Sequence, residues 1–518
     1  MAAGAVTLPL GRAFAQGKAK YTRYNATSPG GLAALATYAK GVEAMLKLPA
    51  TDPHNWFRNA FVHLMDCPHG NWWFYVWHRG YLGYFEQTIR ALTGDNNFAI
   101  PYWDWTALPQ IPDPMFDGPL NPQSKFFEPY TFNIAVFNSF IQPTMTSYWN
   151  SLSPAQLAQL APRGYTSPDT MWNDVNGNGV SGNISFATTC GSRYLTRDNP
   201  KLDPATAKNA EPLTLYGGLG ATEFYSTQKF LSFNSFKTTS HGTPPGGKGS
   251  FFSVLEGLPH NSIHNYIGGF GPLDPGPYGN MTNNLSPVDP VFFLHHSNMD
   301  RLWDLWTRKQ KKLNLPYQPA DADKKAYNDE PFLFYVDASG KFVGTAHAGD
   351  YFDTARWDYE YEPGSGSDIL NPPTAPSLKH GLPLRGMPHG NAAMVSVPSS
   401  AVKSHLAAGA TAATLFLEIT LAHPGPGNGR EFDVFVGAPA NATNLGPDSP
   451  FFAGTIAFFA HGSHTMGMNS ESTFVLPLPE SAEAFHNLSA ANAAVNVRVL
   501  PRGKGKAPVL TSVTVERR

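Results

Sequence analysis

The sequence has little charge, few cysteines and no long apolar run. Charged residues make up 15% of its 518 positions and the formal net charge is −2, so it lacks the basic surface that nucleic acid or an anionic membrane would require. No apolar stretch reaches the length of a membrane span. Its two cysteines, Cys67 and Cys190, exclude a disulfide framework of the small secreted kind, although they could pair with each other. We therefore expect a small-molecule partner, no nucleic acid and no membrane, and we allow a homo-oligomer.

Glycine and proline, by contrast, are abundant, with 48 and 46 residues. This content predicts long ordered loops, and the length of the chain favours two domains. Residues 1–20 are interpreted as an N-terminal tail or as the remnant of an export signal, because a small-x-small site follows a short apolar stretch. The protein would be periplasmic or secreted if this segment is a signal remnant, and cytoplasmic otherwise.

Apolar residues recur at helical spacing in the first part of the chain. The clearest such segments are residues 31–47, 77–92, 252–266 and 289–312. The last of them has a helix-start signal, with Asp289 as N-cap and Pro290 at the first helical position. Between residues 108 and 250 the dense glycine and proline content predicts loops instead.

The end of the chain has a different pattern. A stretch rich in Pro, Gly and Ser, residues 362–390, is interpreted as a linker. The β-rich runs beyond it are residues 414–421, 431–436 and 494–500. The predicted fold is therefore a mainly α catalytic domain over residues 21–361, with a four-helix core and long loops, followed by an all-β sandwich over residues 391–518.

Seven of the 17 histidines fall into two groups. His260 and His264 are four residues apart, so on a helix both imidazoles project from one face. A third imidazole from the helix predicted over residues 289–312 can join them at one metal ion. The other group would place two histidines on two further helices and one on the loop between them, and two facing triads would hold two metals close together. The groups are His63, His69, His78 and His260, His264, His295, His296.

Ligands that are all imidazoles suit copper or zinc. A zinc protease would need a His-Glu-x-x-His motif, but Asn261 follows His260, so the general base is missing. A carboxylate-bridged di-iron site would need Glu-x-x-His motifs, which neither group has.

Two long motifs resemble one family. Residues 69–82 (HGNWWFYVWHRGYL) resemble the copper A signature of tyrosinases and plant polyphenol oxidases, and residues 289–303 (DPVFFLHHSNMDRLW) resemble their copper B signature. Residues 101–105 (PYWDW) fall where the family has an equivalent, and 359–361 (YEY) looks like the tyrosine motif that closes its catalytic domain. The resemblance implies a type-3 dicopper centre with two copper ions, O2 as co-substrate and small phenols as substrates.

The resemblance also implies the ligands. Copper A would be held by His63, His69 and His78, and copper B by His260, His264 and His296. His295 competes for the last place, but the family pattern favours the second histidine of the pair. Helical spacing adds that Phe292 can pack beneath the His296 ring and that Asp300 can hydrogen-bond it, which leaves His295 as a structural neighbour.

Cys67 lies two residues before His69, and Cys-x-His at this place resembles fungal tyrosinases and molluscan haemocyanins. In those proteins the sulfur is bonded covalently to the ligand imidazole. The resemblance therefore implies a Cys67–His69 thioether, which would fix a ligand that no helix holds. A free buried thiol and a Cys67–Cys190 disulfide are the alternatives.

The reaction depends on two further residues. In this family a glutamate, and an asparagine directly after the first copper B ligand, are proposed to hold a water that takes the phenol proton. Glu256 and Asn261 occupy those places, which favours tyrosinase, although Glu256 could instead cap or salt-bridge the helix start. A catechol oxidase that acts only on o-diphenols, and a haemocyanin-like oxygen carrier, are the alternatives.

The C-terminal domain resembles that of plant polyphenol oxidases, although more weakly. Residues 431–436 (EFDVFV) resemble its Lys-Phe-Asp-Val segment, with Glu431 in place of the lysine, and residues 499–502 (VLPR) resemble its last strand. In relatives such a domain covers the copper site. We expect residues 391–518 to shield the site and keep the enzyme latent until it is cleaved or loosened, with the shielding residue not identifiable from sequence.

Overall fold

The computed structural model describes most of the chain. The described residues are 19–176, 193–221, 251–273, 278–319, 321–371, 383–409, 415–424, 429–459, 471–503 and 505–517. The predicted export-signal remnant lies almost wholly outside these ranges, as does Cys190. None of the described helices is long and apolar enough to cross a membrane.

The described helices lie mostly in the first two thirds of the chain. They are α1 Pro29–Lys47, α2 Trp56–Asp66, α3 Phe74–Thr93, α4 Glu128–Thr131, α5 Ile134–Asn150, α6 Pro154–Leu160, α7 Pro168–Asn176, α8 Pro204–Asn209, α9 Pro212–Leu219, α10 Asn261–Ile267, α11 Val291–Lys312, α12 Asp321–Asn328 and α13 Ser399–Ala408. A π-helical turn, Glu256–His260, leads into α10.

The described strands lie mostly in the last third. They are β1 Tyr21–Arg23, β2 Phe251–Phe252, β3 Tyr359–Tyr361, β4 Leu384–Arg385, β5 Met387–His389, β6 Ala392–Pro398, β7 Leu415–Ala422, β8 Glu431–Val436, β9 Phe452–Ala457, β10 Glu471–Pro477, β11 Asn492–Pro501 and β12 Leu510–Arg517. One five-stranded sheet has the order β2-β10-β7-β12-β4 and the other has the order β5-β6-β11-β8-β9. Their inner faces share one hydrophobic core, so the predicted β-sandwich is confirmed.

The mainly helical domain is built around α2, α3, α10 and α11, as the sequence predicts. Helix α2 begins at the N-cap Asn55, whose side chain accepts hydrogen bonds from two backbone N–H groups of the first turn. Helix α3 ends at Gly94 in the left-handed conformation, with φ of 73°. Helices α3 and α11 pack closely, with the rings of Phe85 and Phe293 stacked at a centroid distance of 3.7 Å.

Two predicted helices differ in detail. Helix α11 begins at Val291 and not at Pro290, but Asp289 still caps it, because its Oδ1 accepts from the Val291 N–H at 3.0 Å. The segment predicted to be one helix over residues 252–266 is instead strand β2, the π-helical turn and α10. Pro259 lies inside the π-helical turn, where it removes a backbone donor that a continuous α-helix would need.

The two domains are joined more tightly than a linker over residues 362–390 suggests. Residues 362–371 belong to the helical domain, where Arg301 donates to the Ser365 carbonyl at 2.9 Å. Strands β4 and β5 already belong to the sandwich. In the other direction β2, from the helical part of the chain, pairs in parallel with β10 of the sandwich. The predicted boundaries are therefore too wide, because composition does not report which loops pack.

Candidate metal centre

Helices α2 and α3 and the loop between them bring the first group of histidines together. A nitrogen from each of His63, His69 and His78 and the sulfur of Cys67 lie within 4.8 Å of one another. His63 is on α2, His78 is on α3, and His69 is on the connecting loop, as the sequence predicts. The four side chains form a pocket of donors that could hold one metal ion.

The second group lies on the π-helical turn, α10 and α11. His260, His264, His295 and His296 each offer a nitrogen within 4.8 Å of the others, and all four are fully buried. The Nε2 atoms of His264 and His296 are 3.1 Å apart. The two groups are in direct contact, because the rings of His78 and His296 stack at a centroid distance of 4.0 Å.

The hydrogen bonds of these rings engage Nδ1 and leave Nε2 as the nitrogen that can bind a metal ion. In four of them Nδ1 lies against an oxygen, at 2.7 Å for His63, 2.8 Å for His78 and His260, and 3.0 Å for His264. An Nδ1–H that donates to oxygen leaves the lone pair on Nε2. The Nε2 atoms of His63 and His260 are buried and have no partner within the described structure. These rings therefore fit metal ligation.

Burial also keeps the rings neutral, as a metal ligand must be. It is the main reason that the pKa of both His63 and His260 is lowered to about 3, and the nearby His260 contributes to the lowering of the pKa of His63. The pKa values of His69, His78, His264 and His296 are lowered as well, first by burial and then by the other histidines. The cluster thus offers lone pairs at neutral pH without first having to lose protons.

The surroundings of His296 agree with the sequence on one point and contradict it on another. Phe292 packs against the His296 ring at a centroid distance of 4.2 Å, as predicted. The predicted hydrogen bond between the His296 ring and Asp300, with the carboxylate as acceptor, is wrong. The Nδ1 of His296 has no partner among the described residues, and the Asp300 carboxylate binds Arg79 at 2.7 Å and Arg23 at 2.9 Å.

Asp300 is instead the centre of a buried ion-pair network. Burial alone would raise its pKa, but the charges of Arg79 and Arg23 and the hydroxyls of Tyr359 and Tyr361 hold the pKa below its ordinary value. Two guanidinium groups attract a carboxylate far more strongly than a neutral imidazole does. The network ties β1, α3, α11 and β3 together, so it supports the helices that carry the histidines.

His295 lies closer to the site than its predicted role of structural neighbour requires. Its ring stacks on that of His260 at a centroid distance of 5.3 Å, with an angle of 20° between the planes. Neither of its nitrogens has a hydrogen-bond partner in the part of the chain that the structure describes. Geometry therefore brings both His295 and His296 into the second cluster.

Cys67 lies against two of the clustered histidine rings. Its Sγ is 3.6 Å from Nε2 of His69 and 3.4 Å from Nε2 of His78. The thiol is buried, and burial raises its pKa. The sulfur and the His69 ring are therefore adjacent, as a thioether requires, and the bond itself stays a prediction. The alternative disulfide involves Cys190, which lies outside the described residues.

Glu256 holds the loop that carries His69. Its Oε1 accepts from the Gly70 N–H at 2.7 Å, and Gly70 has a φ of 65°, which favours glycine at this position. Oε2 is buried and lacks a partner within the described ranges. Burial raises the pKa of Glu256, and the hydrogen bond from Gly70 offsets this only in part. This contact with Gly70 was not predicted.

Both polar atoms of the Asn261 side chain form hydrogen bonds. Its Oδ1 lies 2.8 Å from Nδ1 of His260, so it fixes the tautomer of that ring, and its Nδ2 donates to the Ala457 carbonyl at 2.8 Å. Ala457 is the last residue of β9, in the sandwich. The residue that the sequence places beside the copper site is thus also a contact between the two domains.

The sandwich reaches into the site through Phe459, two residues after β9. The Phe459 ring is buried and lies 4.3 Å from the ring of His264, 5.0 Å from that of His69 and 5.7 Å from that of His260, measured between centroids. It touches histidines of both clusters. Sequence reasoning missed this residue, because its only local signal is an aromatic pair at the end of a strand.

Nitrogen donors of this kind, in two adjoining sets on four helices, one loop and a π-helical turn, define a dinuclear metal protein of the all-histidine class, and this donor set suits copper. A family model described as the common central domain of tyrosinase matches residues 42–309. The chain belongs to the tyrosinase family, and the two clusters fit its two copper ions, one on each cluster.

Individual relatives are distant. The chain is 24% identical over 368 residues to polyphenol oxidase II, chloroplastic, of Ipomoea batatas. This match covers 68% of this chain and 51% of that protein. It is 27% identical over 324 residues to the tyrosinase of Bos taurus, covering 61% of this chain and 51% of that protein. The chain thus spans about half the length of the curated relatives it matches.

A solved structure extends the likeness to both domains. The structure of latent apple tyrosinase has a TM-score of 0.55 with this chain at 19% identity, and the match covers 97% of each chain. The two proteins therefore share the fold, a helical domain followed by a β-sandwich.

Proposed function

We propose that this protein is a tyrosinase, which uses O2 to hydroxylate monophenols at the ortho position and to oxidise o-diphenols to o-quinones. The observation that carries the proposal is the pair of adjoining clusters of buried, neutral imidazoles. Copper, when bound there, supplies the activation of O2. The chain's own residues orient the ligands, exclude water and accept the phenol proton.

The ligands follow from the cluster geometry. His63, His69 and His78 bind one copper ion, and His260, His264 and His296 bind the other. His296 is preferred over His295 because its Nε2 is 3.1 Å from that of His264 and its ring lies against His78 of the first cluster. Two nitrogens at this separation can share one tetrahedral ion with bonds of about 2 Å.

Copper counting tests this assignment. The purified, copper-loaded protein should contain two copper ions per chain. The variant His296→Ala should hold one, and His295→Ala, its neighbour of equal burial, should hold two. Equal losses in the two variants would contradict the choice of His296.

Hydroxylation depends on a base for the phenol proton. Glu256 carries the free oxygen Oε2, and its raised pKa makes it a better proton acceptor than an exposed glutamate. Asn261 donates one of the two N–H groups of its Nδ2 to the Ala457 carbonyl. Moving β9 away would free that donor as well for a water molecule.

Latency has the same structural basis. Phe459 occupies the space between the histidines that a phenol ring would need. Side chains of the helical domain hold the strand that carries it: Asn209 binds the backbone N–H and carbonyl of Thr455, Asn261 binds the Ala457 carbonyl, and Asn265 binds the Phe458 carbonyl. Strand β9 is an edge strand of its sheet, so these amides take the positions of a missing neighbouring strand.

A catechol oxidase, acting only on o-diphenols, is the second candidate. It is favoured by the contact between Glu256 and Gly70, since a glutamate that only fixes the His69 loop would supply no base. The two candidates differ in the variant Glu256→Gln, whose amide oxygen can still accept from Gly70. Loss of monophenol turnover with diphenol turnover kept favours the tyrosinase.

A further inference from the structure

A cavity outside the metal centre lies beside the start of α2, the helix that carries His63. Its volume is about 230 Å³, and it lies between α2, α5 and the loop at residues 336–342. None of the clustered histidines lines it. Its size is below the roughly 300 Å³ at which pockets for drug-sized ligands begin, so it suits a small molecule.

The cavity contains a buried cation without an acidic partner. Arg58 lines it and is 8% exposed, and it forms no ion pair with any described residue. One terminal nitrogen donates to the Ala50 carbonyl at 3.1 Å, and the guanidinium lies 4.0 Å from the centre of the Tyr148 ring. Its Nε has no partner within the described structure. Burial lowers the pKa of Arg58, and Tyr148 and then Asp52 offset this only in part.

A second unpartnered polar atom belongs to the same cavity. The Tyr148 hydroxyl is buried without a hydrogen-bond partner in the described ranges, although Tyr148 lines the cavity and is 4% exposed. Arg58 is also the third residue of α2, where the positive end of the helix dipole favours a negative charge. The cavity is also lined by the serine hydroxyls at 147 and 151 and by the apolar Pro53, Val336 and Phe342.

We propose that this cavity binds a small organic carboxylate. The carboxylate would accept from the Arg58 guanidinium, whose fork matches its two oxygens, and from the Tyr148 hydroxyl. The short hydrocarbon part would lie against Pro53, Val336 and Phe342. Such a ligand neutralises the buried charge, which an uncharged ligand would not do.

Calorimetric titration of the copper-loaded full-length protein with cyclohexanecarboxylate tests the proposal. The expected result is saturable binding that becomes at least about tenfold weaker in Arg58→Gln, since a hydrogen bond to a charged group is lost. Ser147→Trp, a change at an exposed position of the cavity, should abolish binding without disturbing the buried arginine. Arg197→Gln removes an exposed arginine that pairs with two aspartates and should leave the affinity unchanged.

Several outcomes would overturn the proposal. One is the absence of saturable binding to the wild-type protein. Another is wild-type affinity in Ser147→Trp, which decides the matter even where Arg58→Gln fails to fold. Binding that vanishes on removal of copper would place the acid at the metal centre instead. Sulfate that binds as tightly as cyclohexanecarboxylate would overturn the assignment to an organic acid.

Discussion

Replacing Phe459 by alanine should activate the full-length protein without any cleavage. The ring is 1% exposed and packs on histidines of both clusters, so it contributes to holding the sandwich over the site. Burying a phenylalanine side chain stabilises by about 1.5–3 kcal/mol. Its removal should shift the equilibrium towards the uncovered enzyme by roughly 10- to 150-fold, at about 1.4 kcal/mol for each factor of ten.

The assay is oxygen uptake by the copper-loaded full-length protein with an o-diphenol. Phe459→Ala should raise kcat/KM by that factor, up to the value of the enzyme freed from its sandwich domain. Phe435→Ala is the matched control, since it truncates an equally buried phenylalanine of the same domain that packs on Phe452. Unchanged activity in Phe459→Ala, or equal activation in Phe435→Ala, would refute the role of Phe459 as the covering residue.

Three further predictions concern the sandwich and the thiol. After cleavage at Lys379 the two fragments should elute together on size-exclusion chromatography, and the activity should stay low. The reason is that the β2–β10 pairing and the asparagine contacts do not depend on the cut segment. Spontaneous separation of the fragments would contradict this. Asp433→Asn should stabilise the protein at pH 7.5 by at most about 3 kcal/mol, measured by calorimetry, and should have no effect below pH 4. Burial raises the pKa of Asp433 to about 6, so stability falls as the pH rises from about 4 to 6, and an equal effect at both pH values would refute this. The intact mass of the copper-loaded protein should be about 2 Da below that of Cys67→Ala, after correction for the substitution. A thioether removes two hydrogen atoms, and O2 takes the two electrons. An unchanged mass would indicate a free thiol.

The sequence predicted what periodicity and local spacing control. The helices that carry the histidines repeat their apolar residues strongly, and strand β8 was predicted with its observed bounds, Glu431–Val436. The pair His260 and His264 met at one site because four residues make about one helical turn. Local patterns of this kind need no knowledge of the rest of the chain.

The misses at the site and at the linker involve partners that are distant in sequence. Asp300 lies one turn from His296, but its carboxylate binds Arg23, which is 277 residues away in the sequence. No local pattern indicates that Arg23 competes with His296 for this carboxylate. Phe459 and Asn209 become functional candidates only once the sandwich is docked on the helices. The linker was drawn too wide for the same reason, since packing and not composition decides which loop residues belong to a domain.

The most direct test of the proposed function is oxygen uptake by the copper-loaded helical domain, separated from the sandwich, with a monophenol and with the matching o-diphenol. A tyrosinase should take up oxygen with both substrates, and Glu256→Gln should lose monophenol turnover selectively. Uptake with the diphenol alone in the unmutated protein would make it a catechol oxidase. Uptake with neither, at full copper content, would contradict the proposed chemistry altogether.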